Sequence, residues 1–111
     1  MTRDDEAVGA VFAALSDPTR REVLQALAAG TGGTATELSA SMPVSRQAVA
    51  KHLAALADAG LVTGERSGRE VRYRLTPRPM ADAASWMADL GAEWDGRLEA
   101  LRRHLQRRTG R

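Results

Sequence analysis

Two short apolar-periodic stretches, each opened by a helix-capping residue, stand three residues apart in the middle of this 111-residue chain. The first starts at Thr34-Ala35-Thr36-Glu37, where the glutamate three residues after the threonine makes a capping box. Met42-Pro43 closes it, because proline lacks a backbone donor and clashes with the turn before it. Ser45 caps the second stretch, which sets Val49, Leu53 and Leu56 on one face and stops at Gly60. Helices of this length separated by Met42-Pro43-Val44 cannot form one rod, and the spacing predicts a helix-turn-helix. The next residues narrow the fold further. Leu61-Val62-Thr63 and Val71-Arg72-Tyr73-Arg74-Leu75 flank Ser67-Gly68, and the second segment alternates, with Val71, Tyr73 and Leu75 on one side and Arg72 and Arg74 on the other. Period-two alternation around turn residues predicts a β-hairpin.

Upstream, Ala7, Val8, Val11, Phe12 and Leu15 fit one helical face, and Ser16-Asp17-Pro18 ends that helix. Asp17 as cap and Pro18 at the first helical position start another, which runs through Val23, Leu24 and Leu27 to Gly30. Gly30-Thr31-Gly32-Gly33 reads as a linker. It follows a helix instead of a strand, and no Gly-Lys-Ser/Thr comes after it, so it is no phosphate loop. Thr76-Pro77-Arg78-Pro79 breaks the chain before a last long helix whose stripe is Trp86, Leu90, Trp94, Leu98, Leu101 and Leu105. Gly91 and Gly96 each weaken that helix by about 1 kcal/mol relative to alanine, so packing must hold it. The expected order is α-α-α-α-β-β-α, mainly α with a small β-hairpin. It describes one winged helix-turn-helix domain over residues 1–111, with helices at both ends available for dimerisation.

Composition removes several functions. The chain has no cysteine, which excludes disulfides, thiolate metal sites and a cysteine nucleophile. Phe12, Tyr73, Trp86 and Trp94 are its only aromatic residues, too few for a base-stacking platform. The longest apolar run, Ala7 to Leu15, is far short of a membrane span, and Asp4, Asp5 and Glu6 stand where a signal peptide needs positive charge. The expected location is the cytoplasm, with no membrane partner. Ser45 and His52 share a helix with no carboxylate placed to orient the histidine, and no glycine loop or carboxylate pair has a catalytic setting. Neither an enzyme nor a cofactor is expected.

The net charge of +2 is unevenly spread. Residues 1–45 hold three arginines and six acids, giving −3, and residues 79–111 hold six arginines and five acids, giving +1. Residues 46–78 hold seven basic residues against Asp58, Glu65 and Glu70, giving +4, the local footprint of a polyanion-binding surface. On the helix from Ser45, Arg46, Gln47, Ala50, Lys51 and Ala54 share the face opposite the apolar one, a surface that can enter a major groove. Arginine suits guanine and glutamine suits adenine, while Lys51 suits a phosphate. His52 falls between the two faces and reads more as a packed core-edge residue than as a base reader. Arg66 and Arg69 flank the hairpin tip, and Arg72 and Arg74 lie on its outward side, where Glu65 and Glu70 offer them partners instead. Thr36 can donate to a phosphate, whereas Thr34 is needed for its cap. The candidate DNA contacts are therefore Thr36, Ser45, Arg46, Gln47, Lys51, His52, Arg66, Arg69, Arg72 and Arg74.

The long stripe of the last helix exceeds what so small a chain can cover, so part of it should meet a partner together with the first helix. The expected interface residues are Val8, Val11, Phe12, Leu15, Trp86, Leu90, Trp94, Leu98 and Leu101. From Val11 to Leu105 the chain resembles the ArsR-like winged-helix repressors. The pieces that carry the resemblance are residues 14–21 (ALSDPTRR), Thr36-Glu37-Leu38, residues 45–53 (SRQAVAKHL), Ala59-Gly60-Leu61-Val62 and the wing from Gly68 to Leu75. The resemblance implies a homodimer joined through its first and last helices, binding double-stranded DNA at a palindromic operator and repressing transcription. It also implies where this chain departs from metal-sensing members. Glu37-Leu38-Ser39-Ala40-Ser41 offers no cysteine pair, and the last helix carries Asp82, Asp89 and Glu93 with a solitary His104, so the chain resembles the metal-free branch. A second reading is a protein-interaction module that keeps the winged helix as scaffold without specific DNA readout, suggested by the mixed wing charge and the apolar stripe.

Overall fold

The computed structural model describes residues 3–108. Its elements are α1 (Arg3–Ala14), α2 (Pro18–Ala29), β1 (Gly33–Thr34), α3 (Ala35–Ser39), α4 (Arg46–Asp58), β2 (Val62–Ser67), β3 (Glu70–Leu75) and α5 (Pro77–Arg108). The α1–α2 corner is closed by side chains that satisfy the backbone groups left over at helix ends. Asp17 accepts from the backbone N–H groups of Thr19 and Arg20. In return, Ser16 Oγ donates to the Ala13 carbonyl at 2.7 Å, and the guanidiniums of Arg20 and Arg21 donate to the carbonyls of Ala14 and Leu15.

The capping box at Thr34 and Glu37 forms as expected, but α3 ends at Ser39, earlier than Met42-Pro43 suggests. Ser39 Oγ and Ser41 Oγ bond back to the carbonyls of Thr36 and Leu38, and Ser41 and Met42 donate to carbonyls only three residues back. Serine hydroxyls competing for helix carbonyls thus tighten the last turn before the proline acts. Ser45 then caps α4 by accepting from Ala48 N–H. At the other end Gly60 adopts φ +79, its N–H bonds the Ala57 carbonyl and that of Leu61 bonds the Leu56 carbonyl. This is a Schellman closure, and its hydrophobic pair Leu56 and Leu61 is completely buried.

The glycine-rich linker contains a strand. Gly33 pairs with Tyr73 and Thr34 with Arg72, so the expected hairpin is the larger part of a three-stranded antiparallel sheet ordered β1-β3-β2. Two residues cannot show a period, yet they cover an edge of β3 that would otherwise expose unpaired backbone. Within the hairpin Gly64 lies opposite Tyr73, and a β-carbon there would sit 2.8 Å from both Tyr73 Cε1 and Val71 Cγ1. The bare backbone makes room for the ring.

Thr76-Pro77-Arg78-Pro79 is likewise no break before the last helix: α5 begins at Pro77. Both prolines stand in its first turn, where the missing donors have no helical acceptor to lose. Thr76 ties this end to the sheet through its N–H to the Leu61 carbonyl and its hydroxyl to that of Thr63. The core is Val11, Val23, Leu27, Val49, Leu53, Leu56 and Leu61, each with almost no exposed surface. Ala83 is the one buried residue of α5 among the described residues. Among the described residues no helix is long and apolar enough to cross a membrane.

Candidate nucleic-acid interface

Helix α4 has two faces of opposite character. Val49, Leu53 and Leu56 are buried, while Arg46, Gln47, Ala50, Lys51 and Ala54 are exposed. The cations and the amide cluster at the amino end, and small alanines follow, so nothing bulky holds this face away from a surface it approaches. Ser45 is exposed but its hydroxyl is engaged in the α4 cap. His52 is half-buried with its Nδ1 enclosed and without a hydrogen-bond partner, at the core edge as expected.

The strand register sorts the wing. Arg66 lies opposite Val71, on the side of Tyr73 and Leu75 that packs toward the core. Arg72 lies opposite Glu65 and Arg74 opposite Thr63, on the other side. Arg69 occupies the two-residue turn between Ser67 and Glu70. All four arginines are exposed. A crease runs between wing and reading helix, lined by Arg46 and Ala50 of α4, Ala35 of α3, and Arg69, Glu70 and Tyr73.

Besides Ser45, two of the expected contacts are engaged inside the chain. Arg72 Nη2 donates to Glu37 Oε2 at 2.9 Å, and Thr36 Oγ1 donates to Glu70 Oε1 at 2.6 Å. Together they clasp the wing to α3. The first pair replaces the expected partners of Arg72, Glu65 and Glu70, with an acid 35 residues away. Glu37 was legible only as half of a capping box. That role uses Oε1, which accepts from Thr34 N–H, and leaves Oε2 for a cation whose identity depends on the fold. The Thr34 N–H, followed by the Arg72 guanidinium, holds the Glu37 carboxyl below the ordinary carboxylate range. Asp17 is lowered for a similar reason: backbone donation from Arg20 leads, Thr19 adds to it, and the charges of His52 and Arg20 act in the same direction against a desolvation cost. Among the described residues no three histidine or acidic side chains come together so as to hold a metal ion.

The residues expected at a subunit interface divide in two. Val11 is only 1% exposed and Val8 is buried, so both belong to the chain's own core and cannot present area to a partner. One face of α1 supplies the core: α1 packs on α5, and Val8, Val11 and Ala14 join the buried cluster. Leu15 is half-buried against the same core. Phe12 and Trp86 meet edge to face at 5.7 Å between ring centres, yet both keep much of their surface open. Leu90, Trp94, Leu98 and Leu101 are exposed, Leu98 to 57%.

The chain is similar to known proteins over this whole region. A family model described as a helix-turn-helix domain matches residues 15–65. The transcriptional repressor SdpR of Bacillus subtilis is 32% identical over 88 residues, covering 79% of this chain and 97% of that protein. The solved ArsR-like transcriptional regulator from Rhodococcus sp. RHA1 superposes with a TM-score of 0.79 at 45% identity, over 88% of this chain and 92% of its own. The homodimeric winged helix-turn-helix DNA-binding domain Mb0332 of Mycobacterium bovis gives a TM-score of 0.59 at 26% identity, over 86% of this chain and 84% of its own.

Proposed function

Since the chain belongs to the ArsR-like family of winged helix-turn-helix transcriptional regulators, which are not enzymes, we infer that it acts as a homodimeric repressor, its own promoter included, at a palindromic operator. The observation that carries this reading is the exposed face of α4, with Arg46, Gln47 and Lys51 ahead of Ala50 and Ala54 and the wing alongside. Arg46 and Gln47 would read base edges in the major groove and Lys51 would hold a phosphate. Arg66, Arg69 and Arg74 would follow the backbone beside the neighbouring minor groove. Arg72 and Ser45 serve by positioning, since their polar atoms already hold the wing and the helix start. Dimerisation rests on the uncovered stripe of α5 and on the homodimeric state of the similar Mycobacterium bovis domain. Two-fold symmetry would then space half-sites by about 10–10.5 base pairs or multiples of it. The absence of cysteine favours control by something other than a soft transition metal, and a role on DNA would put the protein in the cytoplasm.

The test is selection from random duplex DNA at about 150 mM salt, which suppresses purely electrostatic binding. Enrichment of an inverted repeat is expected, and Arg46→Ala is expected to abolish binding to it while leaving the dimer intact. A pool that stays random would overturn base reading and favour the wing and helix as a scaffold for protein contacts.

A further inference from the structure

The crease between α4 and the wing holds a charge of the wrong sign for DNA. Arg46 stands on one wall and Arg69 on the other, with the Glu70 carboxylate between α3 and the wing tip. Neither arginine makes an ion pair among the described residues. Glu70 is instead held by the Thr36 hydroxyl at 2.6 Å, and both residues are exposed. A helix in the major groove and a ribbon in the adjacent minor groove straddle the sugar–phosphate strand that separates the two grooves. That strand has to cross this crease. Two guanidiniums and a hydroxyl are suitable donors for a phosphate, yet in the free chain the hydroxyl is already given to an anion.

We propose that Glu70 is a built-in competitor for the DNA backbone, an internal carboxylate that occupies the Thr36 hydroxyl and shares the crease with Arg46 and Arg69 until a phosphate displaces it. The proposal rests on the DNA-reading face described under Proposed function. Because the competition concerns the backbone, it weakens binding to every duplex by a similar factor. A site that also offers base contacts to Arg46 and Gln47 tolerates that loss, whereas DNA without them drops out of the working concentration range first.

Glu70→Gln removes the charge while keeping the side-chain shape and an amide oxygen for Thr36. Wild type and E70Q are titrated with a random 30-base-pair duplex, and with the inverted repeat recovered by selection, between about 50 and 300 mM salt. The expected result is about tenfold tighter binding of both duplexes by E70Q at the lowest salt, converging as salt rises, with the slope of log affinity against log salt steeper by about one per bound protomer. Thr36→Val, which deletes the hydroxyl and leaves the carboxylate, is expected to weaken both duplexes. Unchanged or weaker binding by E70Q with an unchanged slope, while the wild type binds, overturns the competition and leaves the reading face standing. A wild type that binds neither duplex overturns the reading face itself, and the competition with it.

Discussion

At Glu37 one carboxylate serves two elements. Its Oε1 closes the capping box on Thr34 and its Oε2 takes the Arg72 guanidinium of the wing, so the start of α3 and the middle of β3 are held by the same side chain. Its carboxyl is lowered in the folded chain, first by the Thr34 N–H and then by Arg72. A lowered group contributes stability that is present above its unfolded value and is lost as pH falls through its folded one. Thermal stability of the wild type is therefore expected to decline below about pH 4.5, the ordinary range for a glutamate. Glu37→Gln is expected to be less stable than the wild type at pH 7, with the gap narrowing as pH falls below the ordinary glutamate range. A gap that persists unchanged at low pH would mean that the charge on Glu37 contributes nothing. At this scale the sequence was legible where a residue acts on its own neighbourhood, as Asp17, Thr34 and Ser45 do in their caps. It was silent on partners 34 and 35 residues away, because a cross-element bond leaves no trace in local spacing.

Elements were legible in proportion to how much signal they contain. Helix α4 announces itself three times, by a cap at Ser45, by a buried face at period 3.6 and by a glycine closure, and its bounds follow. Strand β1 has two residues and exists only because β3 offers it an edge. The start of α5 was misplaced because proline disrupts a helix interior but suits its first turn, and sequence alone does not say which turn it is in. Beyond Ala83 every described residue of α5 is exposed, with Gly91 and Gly96 inside it. A β-carbon at Gly96 would meet nothing within 4 Å, so alanine there adds helix propensity without a clash. Gly96→Ala is expected to raise stability by about 1 kcal/mol, read from the denaturation midpoint with an unchanged slope. A lower midpoint would show that the distal turns need the flexibility, or the close approach, that glycine permits.

The whole molecule has principal extents of 73 × 31 × 20 Å, elongated because α5 runs on past the body that the other elements build. Phe12 and Trp86 begin an apolar stripe that continues through Leu90, Trp94, Leu98, Leu101 and Leu105, all still open to water. A helix of this length would have little reason to be stiff alone, since helices in proteins draw most of their stability from tertiary packing of an apolar face. The stripe is thus where a second copy has the most to contribute, and the same symmetry would set two α4 reading faces at a fixed separation. Leu98→Glu together with Leu101→Glu puts two carboxylates on that stripe without touching the buried core, which includes neither residue. The variant is expected to elute as a monomer by light scattering and to lose the dependence of its melting temperature on protein concentration that a dimer shows. Its far-ultraviolet helicity should fall in the share that α5 supplies, while the buried face of α4 keeps the reading unit folded. Operator affinity should then drop toward that of one half-site. A variant that stays dimeric would move the interface off the distal helix, onto Phe12 and the first turns of α5.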